Sequence, residues 1–192
     1  MIRNHAVAIQ PLDAKMLIAG YGAAAQLNYP AVLGTGGAGI IEEVGEGVQI
    51  LTVGDRVVFD TKAYVRVGEN QQTGTWQQLV VCDAKTVAKA CYKILPAILQ
   101  PDVLTFAQIG KVPFEQAVLV DFPLQTAVAA LHVFLGMGTP GSGHEEEKVL
   151  IWGAGGAVGS YAVQYAKQVG RHLSSLSSAD HPILILDRLA IR

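Results

Sequence analysis

The sequence predicts a mixed α/β chain in two parts. The first two-thirds is built mainly of strands and turns. A strand, a glycine turn and a helix follow near the end. Three observations carry this. Short apolar segments punctuated by glycine recur as far as Pro113, where helical segments begin. An apolar run, Val149-Leu150-Ile151-Trp152, then enters Gly153–Gly159. A helical stretch follows directly.

Taken in order, Ala6 to Ile9 is a short apolar run almost at the first residue, so the first strand is expected to be nearly absent. Gly39 to Val44 reads as a strand closed by the turn Gly45-Glu46-Gly47. Val53-Gly54-Asp55 is a turn leading into a strand through Phe59. Thr75 to Cys82 reads as a further strand, bounded by Gly74 and Asp83. Short strands with glycine turns at this spacing predict a barrel or sandwich. Pro113-Phe114-Glu115-Gln116 can open a helix, with proline in its first turn. Leu124 to Leu135 is apolar nearly all round, which predicts a buried helix. Glu145-Glu146-Glu147 reads as a solvated loop. Val149 to Trp152 has the continuous apolar character of a parallel strand buried on both faces. Ser160 to Val169 is a helix stopped by Gly170, and Leu173 to Leu176 begins another strand.

Composition narrows the function classes. The chain has 192 residues, 51% hydrophobic and only 16% charged, with 21 glycines. It is too apolar and too low in net charge for disorder. The formal charge is −2 and no long basic run exists, so no nucleic-acid partner is expected. Mean hydropathy is +0.34, yet the longest uncharged stretch, Met16 to Ile41, is broken by Pro30 and several glycines. No membrane span is expected from it, nor a signal peptide. Two cysteines, Cys82 and Cys91, cannot make a disulfide framework, and the cytoplasm is the expected compartment.

The clearest chemistry lies in Gly153-Ala154-Gly155-Gly156-Ala157-Val158-Gly159, between a strand and a helix. Such glycines permit a tight turn and let backbone approach a pyrophosphate. The helix N-terminus offers unpaired N–H groups and partial positive charge to phosphate. Gly153, Ala154, Gly155, Gly156, Ala157 and Val158 are therefore candidate dinucleotide-binding residues. A carboxylate for the ribose hydroxyls is expected about 20 residues on. The chain has Ser174, Ser175, Ser177 and Ser178 there instead. Small hydroxyls suit a 2′-phosphate, so Ser177 and Ser178 favour NADP(H) over NAD(H), and Asp180 keeps NAD open.

With these residues in view, the chain resembles the medium-chain dehydrogenase/reductase superfamily. Pro11-Leu12-Asp13-Ala14-Lys15, Tyr29-Pro30, Leu33-Gly34, Ala38-Gly39, Val44-Gly45, Gly54-Asp55-Arg56-Val57, Pro123-Leu124-Gln125-Thr126-Ala127 and Gly153–Gly159 match its motifs in order. The resemblance implies a GroES-like β domain over residues 1–120, lacking its first strands. A partial NAD(P)-binding Rossmann domain, a doubly wound parallel sheet, is implied over 121–192, with the active site in the cleft between. A complete domain of that kind has roughly six strands, so the chain is expected to be truncated at both ends. Zinc-dependent members carry cysteine near position 12 and His-Glu at 35 and 36, where this sequence has Leu12, Thr35 and Gly36. The pattern is similar to zinc-free quinone reductases and fungal trans-enoyl reductases. The scattered histidines and two cysteines agree, since zinc needs three or four converging ligands.

The resemblance further implies hydride transfer from a nicotinamide to a conjugated enone, quinone or enoyl substrate, either a small molecule or a carrier-bound acyl chain. Pro11, Asp13, Lys15 and Thr126 are implied cofactor contacts, and Lys15 and Tyr64 implied catalytic residues. Asp13 also reads as a turn or cap residue. A homo-oligomer is the expectation for the full-length form. The alternative is a non-catalytic fragment acting as a binding or interaction module.

Overall fold

The computed structural model describes residues 1–19, 29–63, 70–89, 112–142 and 148–176. Described residues up to 122 form one compact unit and those from 123 onward a second.

The first unit is built on a five-stranded antiparallel sheet. Its strands are β1 (Ile2–Val7), β2 (Gly36–Ile41), β3 (Arg56–Asp60), β4 (Leu79–Val80) and β5 (Val87–Lys89), in the order β4-β1-β2-β3-β5. The expectation of a nearly absent first strand is corrected. β1 is six residues long and pairs with both β2 and β4, with an irregularity between Asn4 and Ala6. Polar Arg3, Asn4 and His5 disguise it as loop in the sequence, because they occupy the more exposed positions of a strand whose Ile2 is buried. Gly39 allows β1 and β2 to approach, since a Cβ there would overlap the carbonyl oxygen of Arg3. The proposed strand over Thr75 to Cys82 shrinks to Leu79–Val80. The carbonyls of Thr75 and Gln77 instead accept bonds from Asn4 Nδ2 at 2.7 and 2.9 Å.

Each face of this sheet has its own core. Ile2, Ile41, Leu51, Val57, Phe59 and Val80 fill one side. Ala8, Ala38, Phe114, Ala117 and Val118 fill the other, where the one-turn helix α3 (Phe114–Ala117) lies across β1 and β2. The turn before β3 closes as Thr52 N donates to Asp55 Oδ2 at 2.8 Å, and Gly54 takes a φ of +90°. Such a value favours glycine, which has no Cβ to clash. The helix α1 (Pro11–Ala19), which the sequence reading did not anticipate, buries Met16 beside Leu33 and Ala63. A short helix α2 spans Asn70–Thr73.

The helix α4 (Asp121–Val128) runs on as a π-wound segment, Ala129–Phe134. Phe114–Phe134 as a whole has the length and hydropathy of a membrane-crossing helix, but one-third of its window is buried in the protein and core helices pass the same test. Burial all round is corrected: Pro123, Ala127 and Leu131 are buried, while Val133, Phe134 and Leu135 are exposed. The buried residues recur every fourth position, so one stripe meets the core.

The second unit contains β6 (Lys148–Trp152), the helix α5 (Ala157–Gln168) and β7 (His172–Leu176). β6 and β7 are parallel, with Lys148 opposite His172 and Trp152 opposite Leu176. Ala127, Leu131, Met137, Ile151, Ala162, Tyr165, Ala166 and Val169 form its core. Burial of β6 on both faces is also corrected. Ile151 is buried, but Leu150 and Trp152 are exposed, because the helices pack on the Ile151 side. Gly170 ends α5 at a φ of +84°. Its N–H bonds to Lys167 O at 3.0 Å, and that of Arg171 to Ala166 O at 3.1 Å. This pair of bonds is the Schellman closure of a helix.

Candidate functional site

The glycine loop joins the end of β6 to the start of α5, with the parallel strand β7 following. Gly153 turns the chain at a φ of +75°, and its carbonyl accepts from Gly156 N at 2.9 Å. A Cβ on Gly159 would overlap that same carbonyl oxygen and lie 2.8 Å from Ala154 Cα. The first turn of α5 therefore sits directly on the loop that precedes it. Gly156 is the N-cap and has no side chain to bond the first-turn amides. Helix geometry leaves those amides without intrahelical acceptors, and the first capping-region bond runs from Ser160 N to Gly156 O at 2.9 Å. Ala154 is buried, while Gly156 and Ala157 are exposed. Exposed backbone donors at a helix start, with aligned peptide dipoles behind them, fit a phosphate group.

The other candidates lie as follows. Pro11, Asp13 and Lys15 come together on α1. Pro11 is its first residue, where a missing N–H costs nothing. Asp13 is 1% exposed, and its Oδ2 accepts from Gln10 N at 2.6 Å while Asp13 N donates to Gln10 O at 2.9 Å. This reciprocal pair fixes the entry into α1. Lys15 is exposed on the same helix, and Thr126 is exposed on α4. Ser174 and Ser175 fall inside β7, not after it. Tyr64, Ser177 and Ser178 lie outside the described residues, as do Asp180, Cys91, His144, His181 and the three glutamates.

Among the described residues, no group of three or more histidine, cysteine or acidic side chains comes together. His5 stacks on Phe114 with ring centres 4.6 Å apart. His132 Nδ1 lies 2.7 Å from Met137 O. Cys82 is half-buried beside the Val57–Phe59 core, and burial pushes its thiol up to about 11. The sequence reading missed one electrostatic feature, Asp60. Burial first, and then Asp121, push its carboxyl up to about 7, against a hydrogen bond from Thr61 N that favours the ion. No local pattern signals this, since Asp60 and Asp121 meet only through the fold.

Residues 1–93 match the alcohol dehydrogenase GroES-like domain. A trans-enoyl reductase of Aspergillus flavipes is 31% identical over 186 residues, covering 96% of this chain and 48% of that protein. An acryloyl-coenzyme A reductase of Sulfurisphaera tokodaii is 29% identical, covering 86% of this chain and 47% of that protein. The crystal structure of Escherichia coli quinone oxidoreductase complexed with NADPH superposes with a TM-score of 0.59 at 26% identity. That match covers 91% of this chain and 42% of the other. The chain belongs to the medium-chain dehydrogenase/reductase superfamily. The expected GroES-like fold joined to Rossmann-type βα structure is thereby found. This member of the superfamily spans about half the length of the curated relatives it matches.

Proposed function

We propose that the chain belongs to an NADPH-dependent oxidoreductase of the zinc-free type, acting on a conjugated enone, quinone or enoyl substrate. The observation that carries this is the β6–loop–α5–β7 unit. Its parallel register, left-handed Gly153 and Cβ-intolerant Gly159 leave backbone close to where a pyrophosphate would bind. A nicotinamide cofactor held there would supply the hydride that reduces the conjugated substrate. The chain's part is to hold and orient. The loop amides of Gly155 to Val158 take the pyrophosphate, and Ser177 and Ser178 the 2′-phosphate. Pro11 and Asp13 shape the start of α1 so that Lys15 presents its ammonium to a cofactor phosphate or to developing carbonyl charge. Thr126 is assigned to the nicotinamide ribose and Tyr64 to the substrate carbonyl as donor. The enoyl reductase name of the Aspergillus relative supports a small or carrier-bound enoyl substrate. A cytoplasmic location and a homo-oligomeric full-length form complete the reading.

Calorimetric titration of the purified chain with NADPH and NADH tests it. Saturable binding that prefers NADPH supports the reading. A folded chain that binds neither rejects it and leaves a non-catalytic interaction module.

A further inference from the structure

A pocket of about 120 Å³ opens on the side of the sheet opposite α3, where the Ile2–Phe59 core lies. Its deepest lining residues are Ile2, Ile41 and Leu51, all buried. Two further segments supply half-buried apolar walls. Val48 comes from the turn after β2, and Cys82 and Val87 come from the stretch that leads into β5. Both segments are tied in place. Gly47 turns the first at a φ of +79°, and Val48 N donates to Gly45 O at 3.4 Å. In the second, Asp83 Oδ1 accepts from Lys85 N at 3.0 Å, and Thr86 Oγ1 donates to Asp60 O of β3 at 2.6 Å. The pocket is therefore built before anything enters it, as small-molecule sites usually are.

The chemistry of the lining selects the ligand. Backbone polar groups at the pocket already have partners. Met1 N donates to Glu43 O at 2.7 Å, and the amides of Glu42 and Glu43 donate to Met1 O at 3.0 and 3.2 Å. Ile41 N donates to Asp55 O at 3.0 Å, and Ile41 O accepts from Gly54 N at 2.9 Å. Among the described lining residues, the only charged side chain is that of Glu43, which is exposed. What faces an entering molecule is aliphatic carbon and one thiol, a weak hydrogen-bonding group. A polar or charged ligand would give up its water without replacement. A neutral apolar one gains by leaving water. The size agrees, since an aliphatic-lined cavity of about 150 Å³ stays dry and takes up benzene.

We propose that this pocket is a binding site for a neutral apolar molecule of about six carbon atoms, a single hydrocarbon ring or a short alkyl group. It shares no residue with the glycine loop or with α1, so it stands independently of the reductase reading.

Benzene titration of the full chain, followed by methyl NMR, tests it, with pyridazine as the polar ring of the same size. Benzene is expected to shift the methyl signals of Ile2, Ile41, Val48 and Val87 saturably. Those of Ile151 and Val169, in the core of the second unit, should not move, and pyridazine should move neither set. In a Cys91→Ser background, bound benzene should also slow alkylation of Cys82, by about tenfold when its concentration is about nine times its dissociation constant. The filled variants Val48→Phe and Ala84→Leu should each lose the shifts. No saturable shift, equal shifts with pyridazine, equal shifts in the second core, an unprotected Cys82, or binding that survives in both filled variants overturns the site.

Discussion

Replacing Gly159 with alanine tests how the nucleotide loop is built. The added methyl would overlap the Gly153 carbonyl oxygen and sit 2.8 Å from both Gly153 C and Ala154 Cα. These are backbone atoms and cannot rotate aside, so α5 must move away from β6. Overpacking of this kind costs about 1–3 kcal/mol, offset by about 1 kcal/mol of helix propensity gained over glycine. The net loss is expected to be up to about 2 kcal/mol. Two neighbours calibrate it. Gly153→Ala meets nothing within 4 Å but must hold a φ of +75°, which costs about 1–2 kcal/mol. Gly156→Ala meets only Gly153 O at 3.4 Å and has an ordinary φ of −76°, so it should cost a few tenths of a kcal/mol up to about 1. Chemical denaturation gives the stability order, and NADPH titration gives the function. Gly159→Ala should weaken NADPH binding by about tenfold or more, equivalent to about 1.4 kcal/mol, and Gly156→Ala by less. If Gly159→Ala were as stable and bound as well as Gly156→Ala, the close helix–loop contact would not be what shapes the site.

Other outcomes follow from the same geometry. Asp60 has a folded pKa of about 7 against 3.8 for the free side chain, so its contribution is complete below about pH 4 and lost as pH rises through 7. Stability should therefore decline by roughly 4 kcal/mol across that window from this group alone. Denaturation midpoints should show a shallower decline in Asp60→Asn. Asp55 acts with the opposite sign. The Lys89 and Thr52 bonds hold its carboxyl below the ordinary range, so its contribution disappears in acid. Cys82, held up to about 11 by burial, should alkylate far more slowly in the native than in the unfolded protein at pH 8 in a Cys91→Ser background, since only the thiolate reacts. Equal rates would show that its burial is not retained in solution. Asp13→Ala should cost about 1–3 kcal/mol by leaving the buried Gln10 N–H without its acceptor, read as a lowered melting temperature. Asp13→Asn should recover part of that loss.

Much of the chemistry was legible in the sequence because it rests on local steric demands. The turn glycines Gly47, Gly54, Gly153 and Gly170 all have positive φ, and each was identifiable from the residues around it. The strand–loop–helix–strand order of the second unit was legible for the same reason. The first strand was not, because exposed Arg3 and His5 and half-buried Asn4 look like loop until a neighbouring strand pairs with them. The helix α1 was passed over because its Asp13 cap reads equally well as a turn residue, and only the Gln10 bond decides between them.

By itself, the sequence determined where the backbone must bend and where it can lie close to a phosphate, since those follow from which positions lack a Cβ. It also identified the superfamily, through an ordered set of such positions. Only the tertiary structure decided which apolar faces are covered. Leu150, Trp152 and Phe134 are as hydrophobic as Ile151 and Leu131, yet they are exposed, because burial depends on which element arrives opposite. The same holds for charge. Asp60 and Asp121 are far apart in the sequence, and Asp121 helps burial to raise the Asp60 carboxyl only because the fold brings the two segments together.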